Sequence, residues 1–171
     1  MLVQSGAKLP KIVLAGPDYR DGRRILQKYL DDNQLNEFVE LRGPVQGEEK
    51  EALFRKAMIF IHTSRWEGLP LVLLEALSYG VPCLLTPGTN MASEWQAAGC
   101  AFEVPFDNEG IAAGIEQVIT IDLSEFGSAA RRLATTQYSW QRIALQLLES
   151  YHDAIDENNI SINRDMSANT I

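Results

Sequence analysis

Short apolar runs alternate with longer stretches of helical period along this chain, and turn residues separate nearly every pair. Lys11-Ile-Val-Leu-Ala15 is β-branched and is stopped by Gly16-Pro17-Asp18, which predicts a buried strand closed by a turn. Residues 38–41, 58–61, 81–85 and 101–104 predict four more strands. Ile25, Leu26, Tyr29 and Leu30 recur at helical spacing and predict a helix over 21–36. Further helices are predicted over 48–57, 71–79, 92–98, 111–119, 123–135 and 140–155. Gly80 stands where a glycine belongs just past a helix end. Residues 158–171 are polar and unpatterned, which predicts a frayed, disordered tail behind a single domain over 1–157.

Strands alternating with helices imply a parallel sheet covered on both faces. Right-handed crossovers make that an α/β, doubly wound, Rossmann-like layer of about five strands. Ligands bind such sheets outside the carboxyl ends of the strands, which selects the loops at 16–21, 43–47, 62–70 and 86–91. Many functions fit that much.

Composition narrows the field. A chain of 171 residues holds one ordinary domain, and 46% apolar residues can fill one core. No stretch approaches the roughly 18 consecutive apolar residues of a membrane span. The opening MLVQSGAKLPK lacks the apolar core of a signal peptide, so the expectation is a soluble, cytoplasmic chain. The net charge of -8 argues against a broad surface for nucleic acid, but one phosphorylated small molecule can still meet a local site. Cys83, Cys100, His62 and His152 lack the spacing of a zinc site, and the two thiols are expected to be reduced and buried. No metal or other cofactor is expected.

The segment Thr63-Ser64-Arg65-Trp66-Glu67-Gly68-Leu69-Pro70 stands out among the loops because it joins a buried strand to a helix. Gly68 allows a ligand close to the backbone, and Pro70 suits the first helical turn. Free N–H groups at 69–73, with the helix dipole, form an anion site of about half a positive charge. Glu67 precedes the helix and Glu75 lies in its second turn. Both carboxylates can face one cleft and accept hydroxyl hydrogen bonds. Equally, Glu67 can simply favour the helix start and Glu75 can be a solvated helix residue; spacing alone leaves both readings open.

The run Glu67-Gly-Leu-Pro-Leu-Val-Leu-Leu-Glu75-Ala-Leu-Ser-Tyr-Gly80-Val-Pro-Cys closely resembles the E-x7-E signature of family 4 glycosyltransferases, retaining enzymes of the GT-B fold. Leu14-Ala-Gly16-Pro17 resembles the family's strand-end glycine turn, and Val39-Glu-Leu-Arg-Gly43-Pro-Val45 its F-x-G-x-V loop. Ser64 matches a small residue frequent before E-G, Gly99-Cys-Ala-Phe a later G-x-x-V segment, and Ser139-Trp140 with Tyr151 the closing helix. The resemblance covers roughly residues 8 to 155 and implies the C-terminal, nucleotide-sugar-binding half of a GT-B hexosyltransferase. It implies that Glu67 contacts the donor sugar at the reaction centre, that Gly68, Leu69, Pro70 and Leu71 hold sugar hydroxyls and diphosphate, and that Glu75 binds the ribose. Gly43, Pro44 and Val45 would meet the base edge, with Gly16, Thr89 and Asn90 as weaker donor-site candidates. The resemblance also implies a role in polysaccharide or glycolipid assembly, without a metal, and with peripheral membrane association at the inner face through other parts of the protein.

The family's donor domain opens with a further strand and a basic loop of G-R-x4-K-G type, and no match to either occurs here. The first GT-B domain, which carries most acceptor contacts, has no match either. This chain alone is therefore expected to be inactive, and the sheet edge at 11–15 is expected to invite self-association. The alternatives are a non-catalytic module that binds a nucleotide or a partner chain, and a GT-B-shaped nucleotide-sugar epimerase. Elsewhere, His62 is expected to be a hydrogen-bonded structural histidine, Arg65 a surface residue, and Arg131-Arg132 a helix surface. Trp66 is expected either to line an acceptor cleft or to cap the helix start, and Trp140 to pack at the last helix.

Overall fold

A computed structural model describes the main chain of residues 10–168 and the side chains of residues 10–155. Strands and helices alternate as the apolar pattern predicts: β1 (Ile12–Leu14), α1 (Gly22–Asp32), β2 (Val39–Leu41), α2 (Gly47–Lys56), β3 (Phe60–His62), α3 (Leu71–Ser78), β4 (Cys83–Leu85), α4 (Ala92–Ala97), β5 (Ala101–Glu103), α5 (Asn108–Val118), α6 (Ser124–Thr136) and α7 (Trp140–Ala168). Every strand pairing is parallel.

The five strands form two sheets rather than one, in the orders β1-β2 and β3-β4-β5. A six-stranded doubly wound sheet runs 3-2-1-4-5-6. Its neighbours 3-2 and 4-5-6 have the same connectivity as the pair and the triplet here. β4 is the centre of the triplet and is fully buried. Its side chains alternate between two cores, as strand geometry requires. Cys83 and Leu85 face a core built with Leu73, Leu77, Trp95, Ala130 and Leu133, while Leu84 faces Phe102, Val104 and Val118. Burying each large aliphatic side chain contributes about 1.5–3 kcal/mol. Both thiols are free and buried. Burial pushes the Cys83 thiol far up and the Cys100 thiol to about 11, so both stay protonated.

α3 ends where the sequence predicts. Gly80 takes φ 74°, its N–H donates to Leu77 O at 2.9 Å, and Val81 N donates to Ala76 O at 3.0 Å. These two bonds are a Schellman cap, and its left-handed position favours glycine. α5 begins three residues earlier than its apolar period, because Asp107 caps it by accepting Gly110 N at 2.7 Å.

Two expectations are corrected. β1 is not buried: Ile12, Val13 and Leu14 are all exposed, because β2 is its only partner strand among the described residues. Trp140 does not pack; it is 86% exposed, and the described side chains of α7 are exposed along the helix. The main chain of α7 is helical to Ala168, so the helix includes the segment over 158–168. That segment contains no proline or glycine to stop a helix. Residues 169–171 lie outside the described residues, as do residues 1–9.

Candidate functional site

β3 ends at His62, beside Leu85 of β4 in the parallel register. Both strands leave the sheet at their carboxyl ends there, so the loops that follow rise side by side. Three hydrogen bonds stitch them together. Thr86 Oγ1 donates to Ser64 O at 2.6 Å, Glu67 N donates to Gly88 O at 2.8 Å, and Asn90 Nδ2 donates to Glu67 O at 2.7 Å. A Cβ added to Gly88 would lie 2.3 Å from Arg65 O and 2.5 Å from Ser64 O, so only glycine fits that approach. Asn90 adopts φ 59°, which asparagine tolerates better than most residues.

This clamp places Glu67. Its Oε1 accepts the Ser64 hydroxyl at 2.7 Å and lies 3.1 Å from His62 Nε2. The Ser64 hydrogen bond, then that of His62, holds its carboxyl below the usual glutamate range, against a desolvation that pushes it up. A carboxyl depressed in this way stabilises the fold above the ordinary glutamate pKa. That contribution is lost as pH falls through its own lower value. His62 is thus hydrogen-bonded, as expected, and its partner is Glu67.

Glu67 leads into the start of α3. Pro70 is the residue before the helix, with ψ 103°, and not its first helical residue. Its carbonyl accepts Leu73 N at 2.9 Å. The amides of Gly68, Leu69, Leu71 and Val72 have no main-chain partner among the described residues. The free donors at this helix start therefore end at Val72, one residue short of the predicted set. Nothing lies within 4 Å of a Cβ built on Gly68, and Leu69 and Leu71 are exposed, so this face is open. Trp66 is 80% exposed and caps nothing. Arg65 is not simply solvated: its guanidinium stacks over Phe106 at 5.0 Å.

Glu75 sits one turn into α3 and is met by Lys50 of α2. Lys50 Nζ donates to Glu75 Oε1 at 2.9 Å. It also lies 2.8 Å from Oε2. Oε2 is buried without a hydrogen bond, since the ammonium is close but out of line with it. Lys50 thus ties α2 to α3 at this carboxylate. The loop before α2 carries Gly43, Pro44 and Val45, and Gly43 O accepts Gly16 N at 3.2 Å. No hydrogen bond joins these residues to Glu67 or Glu75 among the described residues. Thr89 is fully buried and donates its hydroxyl to Thr86 O at 3.0 Å, so it braces the turn. Asn90 is on the surface, with its amide engaged by Glu67 O.

The arrangement is one carboxylate held at an open helix start and a second a turn beyond it, on the carboxyl edge of a parallel sheet. The sequence profile described as "Glycosyl transferases group 1" matches residues 7–140, most of the chain. The chain belongs to this glycosyltransferase family. Among curated members of known role, it is 28% identical over 153 residues to the GDP-mannose:cellobiosyl-diphosphopolyprenol alpha-mannosyltransferase of Xanthomonas oryzae pv. oryzae, covering 85% of this chain and 39% of that protein. It is 29% identical over 128 residues to O-antigen chain mannosyltransferase B of Escherichia coli, covering 74% and 33%. The chain thus spans well under half the length of these relatives. The fold matches the solved structure of Anabaena HepE in complex with UDP, with a TM-score of 0.74 and 20% identity, covering 88% of this chain and 43% of that one. It also matches sucrose-phosphate synthase from Thermosynechococcus elongatus, with a TM-score of 0.72 and 22% identity, covering 91% and 42%.

Among the described residues of this glycosyltransferase chain, no group of three or more His, Cys, Asp or Glu side chains could hold a metal ion. No helix there is long and apolar enough to cross a membrane. Sequence reasoning missed Lys50, Thr86 and Gly88. Lys50 carried no signal, because pairing across 25 residues depends on how α2 packs. Gly88 did carry one: with Pro87 it stops the fourth strand, at the ligand edge of the sheet.

Proposed function

We propose that the chain is the donor-binding domain of a retaining glycosyltransferase that moves a hexose from a nucleoside diphosphate to a hydroxyl acceptor. The observation that carries this reading is the Glu67 carboxylate, fixed by Ser64, His62 and the 86–90 turn at the open start of α3. Glu67 meets the sugar ring and stabilises positive charge at the anomeric carbon. The free amides from Gly68 to Val72 receive the diphosphate, which suits a helix start. Glu75 binds the ribose hydroxyls and shares its charge with Lys50. Gly43 to Val45 meet the base. The leaving diphosphate serves as the base that takes the acceptor proton. The mannosyltransferase relatives make GDP-mannose the first donor to test, and the UDP complex of a structural neighbour makes UDP the comparison nucleotide. Family membership speaks against the epimerase alternative.

Binding and transfer separate in this reading. Lys50 is already engaged by Glu75, and no G-R-x4-K-G loop lies within these residues. The chain alone is proposed to bind donor but not to turn it over. The test is titration calorimetry with GDP and GDP-mannose on the parent, Glu75→Gln and Glu67→Gln. Charged hydrogen bonds of this kind contribute roughly 1.5–3 kcal/mol. Glu75→Gln should therefore weaken both ligands about ten- to a hundredfold. Glu67→Gln should weaken GDP-mannose alone. Equal losses on GDP from the two variants would show that the roles are wrongly divided.

A further inference from the structure

Glu67 has two carboxylate oxygens, and the protein engages only one. Ser64 Oγ and His62 Nε2 both converge on Oε1, at 2.7 and 3.1 Å. No hydrogen bond reaches Oε2 among the described residues. A carboxylate only accepts, so the Ser64 hydroxyl and the His62 Nε2–H must both point at it, which fixes His62 with a proton on Nε2. The main chain of the same residue is held on both sides, its N–H by Gly88 O and its carbonyl by Asn90. Every handle on Glu67 is thus used except one oxygen.

Burial does not demand these bonds. The Glu67 side chain is 33% exposed, so water could satisfy its carboxylate without help from the protein. One donor would leave the carboxylate free to swing about it. Two donors, one from the end of β3 and one from the loop, fix the plane of the group. They come from residues five and three positions before Glu67, so the local chain path alone supplies both.

We propose that Ser64 and His62 are positioning residues that hold Glu67 by Oε1 so that Oε2 is the single atom offered to a hydroxyl of the donor sugar. This rests on the reading of Glu67 as the donor-sugar contact. A hydroxyl arriving at Oε2 finds an acceptor whose direction is already set, so less freedom is lost on binding. The gain applies only to a ligand that carries the sugar. A bare nucleoside diphosphate does not meet Oε2 and is indifferent to the clamp.

The experiment uses the whole 171-residue chain, labelled with carbon-13 at glutamate carboxyls, with the Glu67 signal assigned by its loss in Glu67→Gln. Parent, Ser64→Ala, His62→Ala and His62→Gln are titrated with acid, and each is then titrated with GDP and with GDP-mannose. The Glu67 midpoint should rise in Ser64→Ala and His62→Ala. It should return toward the parent in His62→Gln, whose amide still donates. The two alanine variants should lose affinity for GDP-mannose several-fold and keep it for GDP, with His62→Gln restoring it in part. An unchanged midpoint in both alanine variants would overturn the clamp. A raised midpoint with an unchanged ratio of GDP-mannose to GDP affinity would overturn the positioning role. If Glu67→Gln itself leaves that ratio unchanged, the donor-sugar reading fails. If Glu67→Gln changes the ratio while both alanine variants do not, only the present proposal fails.

Discussion

Gly88→Ala is expected to remove most of the donor affinity of this chain and to destabilise it by about 1–3 kcal/mol, the range for a forced steric insertion. The added methyl carbon would sit 2.3 Å from Arg65 O and 2.4 Å from Arg65 C. Those are main-chain atoms, so no side chain can rotate away to make room. The loop over 63–68 must move outward, and it carries Glu67 with it. The same movement breaks the bond from Glu67 N to Gly88 O and strains that from Asn90 to Glu67 O. A displacement of an ångström at a positioned group is enough to forfeit its contribution. Calorimetry with GDP-mannose, beside urea denaturation of the same protein, checks both halves. A variant with parental affinity and stability would mean that the two loops do not touch as described.

Trp95→Ala should have the largest effect on stability. Trp95 is fully buried between α3, α6 and the β3-β4-β5 sheet. Its indole N–H donates to Tyr138 OH at 3.1 Å, and the two rings meet edge to face at 6.0 Å. Truncating a buried tryptophan costs about 3–5 kcal/mol through lost burial and the cavity left behind. The Tyr138 hydroxyl keeps Glu94 as a partner, at 3.1 Å, so the loss should come mainly from packing. A chain with an ordinary stability of about 5–15 kcal/mol would lose much of it. Urea denaturation followed by near-ultraviolet circular dichroism reads the shift. A loss below about 1 kcal/mol would mean that this core is not closed around Trp95.

The architecture was legible because local signals and tertiary packing agree over most of the chain. β4 shows why: Cys83-Leu-Leu85 is continuously apolar and is buried on both faces. Gly80 marked the end of α3 because a left-handed residue is needed there and few others adopt it. β1 misled for the converse reason. Ile12-Val-Leu14 has the composition of a buried strand, but burial belongs to neighbours, and its second edge has none among the described residues. Trp140 misled in the same way. An aromatic residue at a helix start suggests packing, but Trp140 is exposed, with no other element covering it among the described residues.

The site divides along the same line. Glu67 and Glu75 could be singled out because their spacing is set within one loop and helix. Ser64 could be noticed as a motif position, although its hydroxyl's target could not. Lys50 and Gly88 act across separate elements, and only the packed structure shows that one holds Glu75 and the other supports Glu67.

In the proposed function the start of α3 receives the diphosphate of a nucleotide sugar. This is tested most directly by mapping amide shifts in nitrogen-15 spectra of the full chain during titration with GDP-mannose. Saturable shifts are expected at Gly68, Leu69, Leu71 and Val72, whose N–H groups have no main-chain partner among the described residues, with smaller ones around Lys50 and Glu75. Saturable shifts confined to other surfaces, such as the groove beside Arg131 and Arg132 on α6, with residues 67–75 unmoved, would contradict it.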